Sequence, residues 1–109
     1  MTSHMRLLVS LFAVAVSVSI GTASSRADMI RIVIDKLVYS PANVTARVGD
    51  IIEWENRDAL AHTATVKGDW EVMIPAKKTV SQTLTKEESV EYYCRFHPNM
   101  KGRLAVGAK

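Results

Sequence analysis

Three features of the chain predict an all-β fold, a sandwich or barrel of seven or eight short strands. Apolar residues alternate with polar ones at period two, turn residues punctuate the alternation, and no helical repeat runs long enough to fill a helix. Short strands with tight connections close a core most simply as two packed layers. The chain contains no internal repeat, and its one compositionally biased stretch lies near the N-terminus. The same pattern suits a sandwich without any site, so function has to come from particular residues.

Taken in order, Ile30, Ile32 and Ile34 share one face of an opening strand, and residues 37–39 continue extended to a turn at Ser40-Pro41. Val44, Ala46 and Val48 alternate with Thr45 and Arg47 in a second strand that stops at Gly49-Asp50. In the third, Ile52, Trp54 and Asn56 point one way and Glu53 and Glu55 the other, the wet side an antiparallel sheet permits. Residues 57–61 form a connection, and His62 begins an extended piece that runs to a turn at Lys67-Gly68-Asp69. Residues 70–74, closed by Pro75, suit either a short strand or an irregular wall of the core. Val80, Gln82 and Leu84 share a face of the next strand. Thr85 and Glu88 have capping-box spacing, but residues 85–89 are too few for more than a loop or a 3₁₀ turn. Val90, Tyr92 and Cys94 face alike in an aromatic-rich strand, and Leu104 and Val106 in a last one over 103–106.

The chain has 109 residues, and its first part reads as a leader. Met5-Arg6 precedes residues 7–20, which are apolar except for serines, and small residues follow up to Ala27. A basic start, a short apolar core and a small-residue exit mark a secretory signal peptide, with cleavage expected before Asp28. The apolar run is short for a membrane span, which makes a retained anchor the weaker alternative. Met1 to His4, ahead of a second methionine, read as a cloning remnant. The expected organisation is therefore a remnant and signal peptide over 1–27 (the peptide itself 5–27) and one domain over 28–109, exported to the periplasm. Without Arg6 and Arg26 that domain has 12 basic and 11 acidic residues, so the basic balance of the full chain implies no nucleic-acid partner. Its single cysteine can form no internal disulfide.

An exposed free thiol in an oxidising compartment oxidises or dimerises unless it is buried or bound to metal. Cys94 is followed by His97 and Met100, a thiolate, an imidazole and a thioether in seven residues, and soft ligands of this kind suit copper. A lone cysteine is also common as a buried hydrophobe, and His62 also fits a polar residue ending a strand. Read together, His62, Cys94, His97 and Met100 account for the cysteine and both histidines of the domain. Two imidazoles and a thiolate near one plane, with a weak axial thioether, accept both Cu(II) and Cu(I), and hydrogen bonds to the sulfur tune the potential. The N–H groups of Thr63 and Phe96 are candidate donors to it. A structural zinc site would use more thiolates or histidines and no methionine. No open ligand position or placed general base points to an enzyme.

Tyr39-Ser40-Pro41, Val44, Gly49-Asp50, Ile52, Trp54, Asn56, Asp58 and His62 form one block, and Tyr92-Tyr93-Cys94, His97-Pro98 and Met100-Lys101-Gly102 a second. With both blocks, nearly all of 28–109 resembles the cupredoxins, the small blue copper proteins that include plastocyanin and pseudoazurin. The short spacing from Cys94 to Met100 is most similar to the amicyanin type. The resemblance implies an eight-stranded Greek-key sandwich with one type 1 copper ion on His62, Cys94, His97 and Met100. It implies a monomeric one-electron carrier that meets larger redox proteins transiently: a dehydrogenase, a c-type cytochrome or an oxidase. A copper-holding or copper-delivering protein is the alternative. Electrons would leave through His97, ringed by Phe96, Pro98 and Met73. Ala61 and Thr63 stand where such chains carry proline and asparagine around the first histidine, and Arg95-Phe96 where they carry a small polar residue and proline. Without the asparagine, Thr63 must join the ligand loops less or differently. The Phe96 N–H, absent from proline, would stabilise the thiolate and raise the potential. Arg95 and Lys101 beside the exit suggest an acidic rim on the partner.

Overall fold

The structure, a computed structural model, describes residues 10–17 and 26–109. Residues 1–9 and 18–25, which hold His4 and most of the expected leader, lie outside the described residues, and 10–17 form no helix or strand. No helix among the described residues is long and apolar enough to cross a membrane.

Nine strands build the domain: β1 (Met29–Asp35), β2 (Val38–Ser40), β3 (Asn43–Arg47), β4 (Ile51–Asn56), β5 (His62–Val66), β6 (Trp70–Ile74), β7 (Thr79–Thr83), β8 (Glu88–Cys94) and β9 (His97–Gly107). They form two sheets packed face to face, one ordered β2-β1-β4-β7 and the other β3-β9-β8-β5-β6. This is the expected all-β sandwich, with four differences. The count is nine because Lys36 and Leu37, at φ 51° and 64°, turn the chain and split β2 from β1. Two pairs, β1 with β4 and β3 with β9, run parallel; period-two patterning fixes which face is buried and is silent on strand direction. The last strand starts at His97 rather than at residue 103, so the second half of the 94–100 segment is itself sheet. Residues 70–74 resolve as an edge strand, and Glu88 and Ser89 join β8 rather than a helical turn.

The core is the inward face of both layers: Ile32 and Ile34 from β1, Ile52 and Trp54 from β4, Ala64 from β5, Tyr92 and Cys94 from β8, Leu104 and Val106 from β9. At its centre Tyr39, Trp54 and Tyr92 meet edge to face, with centroids 4.9–6.1 Å apart, the arrangement their ring quadrupoles favour. Burial pushes the Tyr39 and Tyr92 hydroxyls well above the ordinary phenol range. At the opposite end from the ligands, Gly49 takes φ 97° and lets Asp50 turn back on the chain. The Asp28 and Arg47 N–H groups donate to its carboxylate at 2.9 and 2.8 Å and hold its pKa below the usual range.

This topology gathers three connections at one pole. Lys36 and Leu37 turn beside Asp58 of the 57–61 connection, β5 starts there, and β8 reverses into β9 there, with Cys94 opposite His97. Gly102 on β9 faces Tyr92 on β8, and a Cβ on Gly102 would stand 2.2 Å from the Tyr92 oxygen. Gly102→Ala is therefore expected to cost about 1–3 kcal/mol, the usual penalty of overpacking a filled core. Urea unfolding of the variant checks it; an unchanged midpoint would mean that Tyr92 yields without strain.

Candidate metal centre

His62, Cys94 and His97 each owe their place to a strand end. Asn56 closes β4 and spans the connection behind it: its Nδ2 donates to the carbonyls of Leu60, Ile74 and Pro75 at 2.8–3.2 Å, and its Oδ1 accepts from the Asp58 N–H at 2.9 Å. The connection so held delivers His62 to the first position of β5, fully buried. Cys94 ends β8, also fully buried, and its in-facing parity with Tyr92 aims the sulfur at the pole. His97 begins β9 half-buried, and Met100 follows on the same strand at 5 % exposure.

The donor atoms of His62, Cys94 and His97 lie within 4.8 Å of one another, the only such cluster of histidine, cysteine or carboxylate donors among the described residues. Nδ1 of His62 and Nδ1 of His97 are each 3.7 Å from the Cys94 Sγ. A first-row ion about 2.3 Å from a thiolate and about 2.0 Å from each imidazole, with donors roughly 120° apart, needs sulfur and nitrogen about 3.7 Å apart. The residues thus fit one ion, and a single thiolate with two imidazoles suits copper. Met100 lines the same recess as His97.

Asp58 fixes the orientation of His62. Its Oδ2 lies 2.8 Å from His62 Nε2, and since a carboxylate only accepts, Nε2 carries the proton and Nδ1 turns its lone pair toward Cys94. The same carboxylate accepts from the N–H groups of Lys36 and Leu37 at 2.7 and 3.0 Å. Burial works to raise the Asp58 pKa and is outweighed by the Leu37 N–H, the His62 ring and the Lys36 N–H, so the group sits below the usual carboxylate range.

Thr63 lies against the sulfur. Its N–H points at Sγ at 3.4 Å, its carbonyl accepts from the Tyr39 hydroxyl, and its Oγ1 accepts the Arg95 N–H at 2.8 Å. A threonine hydroxyl therefore makes the bond between the ligand loops for which no asparagine is present. The Phe96 N–H makes no hydrogen bond to the sulfur, so only the Thr63 donor of the two expected is in place. Around His97 the recess is lined by Leu37, Phe96, Pro98, Asn99 and Met100. Met73 sits on β6 opposite Thr63, 44 % exposed, and does not line it. Arg95 and Lys101 are not free charges: Arg95 pairs with Glu71 at 2.8 Å and Lys101 with Glu91 at 3.9 Å. Neither Leu37 nor the role of Asp58 was readable in advance. A left-handed turn at Lys36-Leu37 carries no glycine to announce it, and an acid four residues before a histidine is uninformative in a loop.

The model of the cupredoxin-like domain matches residues 7–106. The chain belongs to the cupredoxin-like family. It is 31 % identical over 87 residues to amicyanin of Paracoccus denitrificans, a match covering 69 % of this chain and 64 % of that protein. The crystal structure of amicyanin from Paracoccus versutus superposes with a TM-score of 0.63 at 27 % identity, covering 77 % of this chain and 86 % of that one. The Cu(I) form of a methionine-to-alanine mutant of amicyanin also superposes at 0.63, with 28 % identity, covering 77 % and 87 %.

Asp58→Ala is expected to weaken copper binding about 10–100-fold, the usual cost of removing the partner that orients a ligating histidine. Competition with a chelator measures it, and unchanged affinity would make Asp58 a turn anchor only.

Proposed function

We propose that the domain is a one-electron carrier of the periplasm, holding one copper ion on His62, Cys94, His97 and Met100 and cycling it between Cu(II) and Cu(I). The observation that carries this reading is the cluster itself, with three donors at metal-binding separation on strand ends, two of them fully buried. The bound ion would supply a redox centre whose charge changes by one. The chain's part is to keep the donors from rearranging: Asp58 holds the His62 ring, the Thr63 N–H supports the sulfur, and β9 holds both His97 and Met100. Similarity to amicyanin, including its Cu(I) form, supports the same reading.

His97 is the donor nearest solvent, and apolar Leu37, Phe96 and Pro98 surround it. A partner redox protein, such as a dehydrogenase, c-type cytochrome or oxidase, would meet the ion across this recess, briefly and with the carrier as a monomer. With Arg95 and Lys101 already paired to acids, the contact relies on apolar fit more than on charge. The apolar run over 7–20 supports export, with the leader removed before Asp28.

One equivalent of Cu(II) is expected to turn the protein intensely blue through thiolate-to-copper charge transfer, and reduction to bleach it reversibly over repeated cycles. A colourless complex would contradict the donor set. Copper lost after one cycle would favour a delivery protein instead.

A further inference from the structure

The outer face of β5 carries two hydroxyls with almost no access to water, Thr63 at 0 % and Thr65 at 7 % exposure. Buried hydroxyls need partners, and their directions here are determined. Thr65 Oγ1 donates its one proton to Glu71 Oε1 at 2.9 Å, across the β5–β6 pair in which the two residues stand directly opposite. The 2.8 Å contact between Thr63 and Thr65 must then be donated by Thr63. That leaves the Thr63 oxygen as acceptor for the Arg95 N–H at 2.8 Å. Arg95 Nε returns to the same Oε1 of Glu71 at 2.8 Å, which closes a ring. The Arg95 guanidinium also lies 4.8 Å over the Phe96 ring.

We propose that Glu71, on the edge strand and outside the metal cluster, is a positioning residue for the ligand loop, acting on Cys94 through Thr65, Thr63 and Arg95. Its Oε1 ends the hydroxyl chain as the acceptor of both Thr65 and Arg95 Nε, which fixes the direction of each bond along it and leaves Thr63 Oγ1 to accept the N–H of the residue after Cys94. Thr63 also donates to the sulfur, so one residue transmits the tension of the ring to the thiolate. Through Arg95, Glu71 further holds Phe96 at the wall of the His97 recess.

The test uses the full chain with Glu71→Ala, Glu71→Gln and Thr65→Val. In the metal-free protein the Arg95 amide proton should exchange about tenfold faster in Glu71→Ala and Thr65→Val, the effect of losing one charge-assisted hydrogen bond. Amides of Ile32 and Ile52 in the other sheet should be unmoved. Glu71→Gln keeps an acceptor for both partners and should restore most of the protection. An Arg95 amide at the wild-type rate in Glu71→Ala overturns the proposal. A wild-type rate in Thr65→Val alone overturns the relay through the hydroxyls. A second arm rests on the copper reading: the Cu(II) charge-transfer and EPR spectra should shift in Glu71→Ala and Thr65→Val and return in Glu71→Gln. Exchange that changes while these spectra do not would also overturn the positioning role. Failure of every variant and the wild type to bind copper would contradict the function and leave the exchange arm to decide on Glu71.

Discussion

The three polar groups of Thr63 converge on what holds the site together. Its N–H is directed at the Cys94 sulfur, its carbonyl takes the Tyr39 hydroxyl, and its own hydroxyl takes the Arg95 N–H. The local pairing makes this available. Strands β5 and β8 share a single bridge, Thr65 with Tyr93, so the main chain of Thr63 lies beyond their ladder and must find other partners. A buried backbone donor without a ladder partner is costly, and a sulfur at hydrogen-bonding distance relieves that cost while supporting negative charge on the thiolate. The Tyr39 hydroxyl does the same for the carbonyl and links the site to the aromatic centre of the core.

From this point the constraints extend in two directions. Inward, Tyr39, Trp54 and Tyr92 fill the sandwich, and Gly102 is the space Tyr92 needs. Outward, Thr65, Glu71 and Arg95 tie the ligand loop to an edge strand. Asp58 performs the matching task on the other histidine, joining the Lys36-Leu37 turn to the His62 ring. Donors fixed by strands, core and surface pairs lose little freedom on taking up an ion and shift little when its charge changes.

The layers and the Cys94–His97 half of the donor cluster were legible because both rest on local signals. Alternation at Ile52, Trp54 and Asn56, or at Tyr92 and Cys94, states which face is inside, and the structure buries those residues. Soft donors at short spacing state which chemistry is present. What could not be read is whatever depends on three-dimensional neighbours. Strand direction leaves no trace in a period of two, which hid the parallel pairing of β1 with β4. The turn that brings Leu37 to the His97 recess uses non-glycine residues at positive φ, held by an acid 21 residues away. Arg95 looked like a free charge because Glu71, 24 positions earlier, became its neighbour only through the β5–β6 and β5–β8 pairings.

On the proposed function, one sulfur and two nitrogens hold both charge states of copper without remodelling. X-ray absorption of the copper-loaded protein near pH 7.5, measured oxidised and then reduced, addresses it directly. One short sulfur contact and two imidazole nitrogens are expected in both states, with the shell changed only slightly in bond length. A shell of oxygen and nitrogen alone, or loss of the sulfur or a histidine on reduction at that pH, would contradict it.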